Sequence, residues 1–229
     1  MILGQIGSMT KEEVRARIQE LAIVPAVRAS NAEDALFAAE AVSRGGLPIV
    51  ELTMTVPKAA ELIVKLVKEH PHMVVGAGTV LNVETARACL AAGANFITSP
   101  GLDLEVVEFA VKAGIVVIPG VLTPSEIITA VKAGADFVKI FPCSQVGGVD
   151  YLRALKAPFP KVSFIASGGV NQQTAGQYLA AGATAVGIGA DLIPPRAITI
   201  READWIEELA RRYVHTVKYL REETGRGVR

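Results

Sequence analysis

The strongest constraint on what this chain can fold into is a phrase that returns along it: "SRGGLPIVEL", "AAGANFITS", "KAGIVVIPG", "KAGADFVKIF" and "AAGATAVGIG". In each, a run rich in helix formers meets a glycine, and a β-branched run begins within a few residues. Glycine takes the left-handed conformation that ends a helix at little steric cost, so each phrase reads as a helix-to-strand junction. Gly93, Gly114 and Gly134 are 21 and 20 residues apart, and Gly182 follows 48 later, which is room for two units of about 24. The repeating unit is one strand and one helix.

On this pattern, strands are predicted at Ile23 to Arg28, Ile49 to Thr53, Val74 to Gly78, Phe96 to Thr98, Val116 to Pro119, Phe137 to Phe141, Val162 to Ala166 and Ala185 to Ile188. Between them "NAEDALFAAEAVSR", "KAAELIVKLVKEH" and "DLEVVEFAVKAG" carry apolar residues at three- and four-residue intervals, as helices with one buried face do. The strands are short, continuous and apolar, which suits a parallel sheet covered on both faces. Eight such units predict an α/β protein closed as a (β/α)8 TIM barrel. A doubly wound open sheet fits less well: it usually has fewer strands, and "GAGTVL" has Leu81 where a dinucleotide fingerprint needs its third glycine. Thr10 with Glu13 three residues on forms a capping box for an additional N-terminal helix, so residues 1–9 are an expected extension and 10–229 a single barrel domain. "READWIEELARRYVHTVKYLREETG" is the expected last helix, with Trp205, Leu209 and Val217 packing inward.

Composition removes several function classes. Lys plus Arg and Asp plus Glu both number 23, with no basic cluster interleaved with aromatics, so nucleic acid has no electrostatic footing. No stretch reaches about 18 uninterrupted apolar residues, and the first residues lack a signal-peptide pattern, so no membrane partner and a cytoplasmic location are expected. Cys89 and Cys143 have no CxxC spacing and fit a reducing compartment. His70, His72 and His215 lack the companions a metal needs, so no metal is expected.

In a barrel, reacting groups come from the C-terminal ends of the strands. Alternation along the sixth strand puts Phe137, Lys139 and Phe141 on one face, with Val138 and Ile140 turned to the helices. Along the second strand it puts Ile49, Glu51 and Thr53 together. Lys139 and Glu51 therefore both point into the barrel. Buried lysine and glutamate are rare unless paired, so one account is a structural ion pair. The other is chemical: desolvation disfavours the ammonium, the free amine attacks carbonyls, and a nearby glutamate moves the protons that Schiff-base formation requires. Proton transfer by the same two groups without a covalent intermediate, as in a phosphate-binding isomerase or epimerase, is a third. After strands seven and eight, "ASGGV" and "GIGAD" offer bare backbone N–H groups where barrels commonly bind phosphate. Cys143, just past the sixth strand and without a histidine partner, is expected to be a bystander.

The order of "VELTMTVPKA", "GAGTV", "FITSPG", "VIPGVLTPSE", "FVKIFP" and "SGGV", from about Ile23 to Leu192, resembles the class I 2-keto-3-deoxy-6-phosphogluconate (KDPG) aldolases and their 4-hydroxy-2-oxoglutarate and 6-phosphogalactonate relatives. The resemblance implies a lyase that forms a covalent Schiff base on Lys139, uses Glu51 as general acid and base, and needs no cofactor. It implies that Thr79 and Pro100 line a pyruvate pocket and that Gly168 and Gly169 bind phosphate. Thr53 and Phe141, on the inward faces of their strands, complete the predicted substrate-binding set. The expected partners are a small 2-keto acid substrate and pyruvate, in a homotrimer. Two positions depart from the pattern. Thr55 stands where many members carry a carboxylate-binding arginine, and Arg28 at the end of the first strand is the expected replacement. Ala190 stands in place of a phosphate-binding serine, so Ser167 or the backbone of Gly189 is expected to serve, and an unphosphorylated 2-keto-4-hydroxy acid remains open as substrate.

Overall fold

A computed structural model describes residues 9–226; the expected extension, apart from Met9, lies outside the described residues. The strands are β1 (Ile23–Val27), β2 (Ile49–Thr53), β3 (Val74–Gly78), β4 (Phe96–Thr98), β5 (Val116–Ile118), β6 (Gly120–Val121), β7 (Val138–Ile140), β8 (Phe164–Ser167) and β9 (Ala185–Ile188). Every pairing is parallel, in the order β5-β4-β3-β2-β1-β9-β8-β7-β6. The ninth segment lies just beyond the predicted fifth strand, which ended at Pro119: that residue, which has no N–H to donate, separates β5 from β6. One stretch of chain thus pairs with β4 through β5 and with β7 through β6, and this closes the barrel.

The helices are α1 (Lys11–Leu21), α2 (Ala32–Arg44), α3 (Ala59–Glu69), α4 (Val83–Ala91), α5 (Leu104–Lys112), α6 (Pro124–Lys132), α7 (Gly148–Lys156), α8 (Gln172–Ala180), α9 (Pro195–Thr199) and α10 (Ala203–Arg226). Their starts follow from capping chemistry. Thr10, Asn31, Asn82, Asp103, Thr123 and Asn171 each accept a first-turn N–H with a side-chain oxygen. Their ends follow from the repeating glycine: Gly93, Gly114, Gly134 and Gly182 take φ between 70° and 102°, as the sequence phrase requires.

The pleat of each strand divides the core in two. Outward residues such as Val50, Leu52, Val75, Ile97, Val117, Val138, Ile140 and Val186 pack under the helices. Inward residues at the strand beginnings, including Val24, Ile49, Val74, Phe96, Val116, Phe137 and Ile165, fill the barrel and meet Val14 and Ile18 of α1. This helix closes the lower end. Asp136, at the foot of β7, holds it through Lys11 (3.0 Å) and Arg15 (3.7 Å) while accepting the Val117 N–H at 3.1 Å. A ligand reaches the interior from the opposite end, where the strands finish.

One packing expectation is corrected. Trp205 is 39 % exposed, and the inward stripe of α10 is Ile206, Ala210, Tyr213 and Val217, with Leu209 only partly buried. Val217 is inward as expected, but Ile206 and Ala210 take the inward places expected of Trp205 and Leu209, and Tyr213 reaches Asp191 beyond β9. No helix among the described residues is long and apolar enough to cross a membrane.

Candidate active site

Inward positions become polar toward the strand ends: Ile49 gives way to Glu51 and Thr53 on β2, Phe96 to Thr98 on β4, and Phe137 to Lys139 on β7. Lys139 is 6 % and Glu51 4 % exposed. Lys139 Nζ lies 3.7 Å from Glu51 Oε2 and donates to Thr98 Oγ1 at 3.2 Å. It also stands 5.3 Å from the ring centroid of Phe141, so the amine is held by one carboxylate, one hydroxyl and one aromatic face. Glu51 Oε1 is the one buried side-chain oxygen among the described residues with no hydrogen-bond partner. Leaving an acceptor in that condition costs free energy, and such an atom in a cavity is a position for a substrate proton.

Glycines on β3 make room for this arrangement. A Cβ at Gly78 would stand 2.2 Å from Glu51 Oε1, and one at Gly76 would enter the Phe96 ring. The "GAG" of the sequence is therefore space for a carboxylate and a phenyl ring. The next residue, Thr79, takes φ 60° although it is β-branched; such strain persists only where the surroundings enforce it and is concentrated at functional sites.

The other expected residues are placed as follows. Arg28 follows β1 and is exposed, and its Nη1 lies so close to Gly189 that a Cβ there would be 3.1 Å away. Thr53 is buried, donates to the Val27 carbonyl at 3.1 Å and meets Thr55 Oγ1 at 2.7 Å, so its hydroxyl ties β2 to β1. The Pro100 carbonyl abuts Gly120, where any Cβ would collide with it. Ser167 is buried with its hydroxyl against Gly187. Gly168 and Gly169 both have positive φ, and Cβ atoms there would strike Pro142 and Ser144. Phe141, Ser167, Gly168 and Gly169 are thus joined to the loop that follows Lys139.

Thr98, the hydroxyl partner of Lys139, was not among the expected residues; the alternation of "FIT" places it beside Phe96 and was the available signal. Cys143 is buried, its Sγ is 3.7 Å from the Gly148 carbonyl, and burial pushes its thiol up, so it stays protonated and unreactive. Among the described residues no group of three or more His, Cys, Asp or Glu could hold a metal ion.

A closed parallel barrel with a buried lysine and glutamate at its open end is the architecture of an aldolase-type lyase. Comparison with known proteins agrees: the family model for KDPG and KHG aldolase matches residues 14–209. The chain belongs to that family. It is 35% identical over 206 residues to the 2-dehydro-3-deoxy-phosphogluconate aldolase of Pseudomonas aeruginosa, covering 87% of this chain and 93% of that one. It is 35% identical over 196 residues to the KHG/KDPG aldolase of Escherichia coli K12, covering 86% and 92%. A crystal structure of KDPG aldolase from Legionella pneumophila, with pyruvate captured as a covalent carbinolamine, superposes with a TM-score of 0.81 at 33% identity, over 86% of this chain and 96% of the other.

Proposed function

We propose that this enzyme reversibly cleaves 2-keto-3-deoxy-6-phosphogluconate to pyruvate and glyceraldehyde 3-phosphate through a Schiff base on Lys139. The observation that carries this is the buried pair: an amine 3.7 Å from a carboxylate whose second oxygen has no partner. The family resemblance gives the pair its reaction, and 4-hydroxy-2-oxoglutarate and 2-keto-3-deoxy-6-phosphogalactonate are the related substrates.

The cycle requires one proton between Lys139 and Glu51, with the amine free to attack. The neutral amine adds to the C2 ketone, its proton passing to the oxygen, and Glu51 protonates that hydroxyl so that water leaves and an iminium forms. Glu51, now a carboxylate, removes the C4 hydroxyl proton. The O–H electrons form the aldehyde carbonyl, the C3–C4 bond breaks, and its pair moves into the enamine and neutralises the iminium nitrogen. Glu51 returns the proton to C3, water adds at C2, and pyruvate leaves with the amine and the shared proton restored. Thr98 holds Lys139 in line, and Thr79, Pro100 and Phe141 border the keto acid. Ile128 and Val131, exposed three residues apart on α6, supply apolar surface for the homotrimer the family implies.

Incubation with pyruvate followed by borohydride tests the chemistry: a reduced adduct on Lys139, located by peptide mass spectrometry, is expected. Its absence from folded protein sinks the proposal and leaves proton transfer without a covalent intermediate.

Arg28 is the proposed clamp for the substrate carboxylate. It forms no hydrogen bond or ion pair with any described residue, and it sits at the barrel mouth where Thr55 is too short to serve. Arg28→Ala is expected to raise KM for the keto acid by about tenfold to a hundredfold, the range for losing a charge-assisted pair. Steady-state kinetics with an unchanged KM would remove Arg28 from the site.

A further inference from the structure

At the far side of the mouth, where β8 and β9 end, barrels of this kind commonly hold a substrate phosphate on glycine backbone and the first turn of the next helix. Gly168 and Gly169 offer such donors here, but those at the start of α8 are occupied: Asn171 Oδ1 accepts the N–H groups of Gln173 and Thr174, and Thr174 Oγ1 accepts that of Asn171. Asp191, three residues past β9, accepts the N–H of Gln172, the first residue of α8, at 3.0 Å. The same oxygen accepts the hydroxyl of Tyr213 from α10. Tyr213 is buried, and burial together with the Asp191 carboxylate pushes its phenol up, so it remains a donor. The carboxylate is therefore pinned at the helix terminus by two donors, one of them in the core. It is exposed, follows the end of β9 and forms no ion pair with any described residue, so no cationic side chain balances its charge there. Arg28, the cation beside Gly189, forms no ion pair with it within the 4.0 Å that defines one. Ala190, also exposed, brings no hydroxyl to the place.

We propose that Asp191 is a specificity-determining residue that opposes a phosphate at this end of the substrate, so that the enzyme cleaves 2-keto-3-deoxy acids without a phosphate nearly as well as those with one. The inference rests on the Schiff-base reading above. It adds that the pinned carboxylate presents a fixed negative charge and fills a donor that a phosphate would use. Like charges brought together in a partly desolvated cleft repel, and an occupied donor gives the incoming anion nothing in return.

The test is the ratio of kcat/KM for 2-keto-3-deoxy-6-phosphogluconate to that for 2-keto-3-deoxygluconate. A site built to hydrogen-bond a substrate group rejects the analogue lacking it by about 10⁴-fold or more. Here the wild-type ratio is expected below about 10², and Asp191→Asn, which keeps an acceptor for the Gln172 N–H but loses the charge, is expected to raise it by about tenfold or more. A wild-type ratio above about 10² overturns the proposal. So does an Asp191→Asn ratio equal to wild type, including the case in which both substrates slow together, which is the signature of a structural role. If Asp191→Asn does not fold, as judged by circular dichroism, the wild-type ratio and that of Asp191→Ser decide on the same terms. Borohydride trapping of pyruvate on wild-type protein separates the two levels: an adduct with a high phosphate preference defeats this inference alone, whereas no adduct and no cleavage defeats the aldolase reading and this inference with it.

Discussion

Lys139→Met is expected to lower aldol cleavage by about 10⁴-fold or more and to abolish the borohydride adduct with pyruvate, because removal of a covalent nucleophile typically costs that much. Methionine is the informative replacement. It is unbranched and close to lysine in length, so it fills the space beside Phe141 and Thr98 without opening the cavity that alanine would leave. It also removes the cation 3.7 Å from Glu51, and leaving that buried carboxylate without its partner is expected to lower stability. Coupled assay of pyruvate release, with thermal unfolding recorded in parallel, separates lost chemistry from lost structure. A folded Lys139→Met protein that retains more than about one percent of wild-type kcat/KM would show that the electron sink lies elsewhere.

The same lysine shows how much of the molecule could be read from the chain. Period-two alternation places Lys139 and Glu51 inside the barrel before any coordinate is known, since a one-residue error would have turned Val138 and Ile140 inward, and the repeated glycine set the number of units. Element ends were less legible. The predicted sixth strand ran to Phe141, but the strand stops at Ile140, and the predicted fifth ended at Pro119, although pairing resumes beyond it at Gly120–Val121. The apolar stripe of α10 predicts Trp205 in the core beside Leu209 and Val217, yet the buried positions are Ile206, Ala210, Tyr213 and Val217, and Tyr213 reaches Asp191 across 22 residues, a contact no local pattern contains. Parity alone puts Thr98 inward beside Phe96, but only the fold brings its hydroxyl to the amine, since the two residues are 41 positions apart. Arg28 and Gly189 are a similar case: their approach depends on β1 lying next to β9, which follows only from closure of the barrel.

Glu51→Gln is expected to lower kcat for cleavage by about 10²–10⁴-fold, the usual contribution of a positioned acid–base group. Glutamine keeps the volume that Gly78 leaves for this side chain and can still accept from Lys139, but it neither takes the C4 hydroxyl proton nor returns one to C3. The deficits fall on different steps from those of Lys139→Met. The adduct with pyruvate should still form, more slowly, because water can assist dehydration of the carbinolamine. Exchange of the pyruvate methyl hydrogens with deuterated solvent, which needs a base at C3 of the iminium and no bond cleavage, should fall in step with kcat. Proton NMR of pyruvate in heavy water reads that exchange directly. If exchange in the glutamine variant matches wild type while cleavage collapses, Glu51 serves only the C4 hydroxyl and a second base serves C3. If both survive, the unpartnered Glu51 Oε1 is a structural anomaly without a catalytic use, and the proton carrier must be sought among the hydroxyls of Thr98 and Thr79 or in bound water.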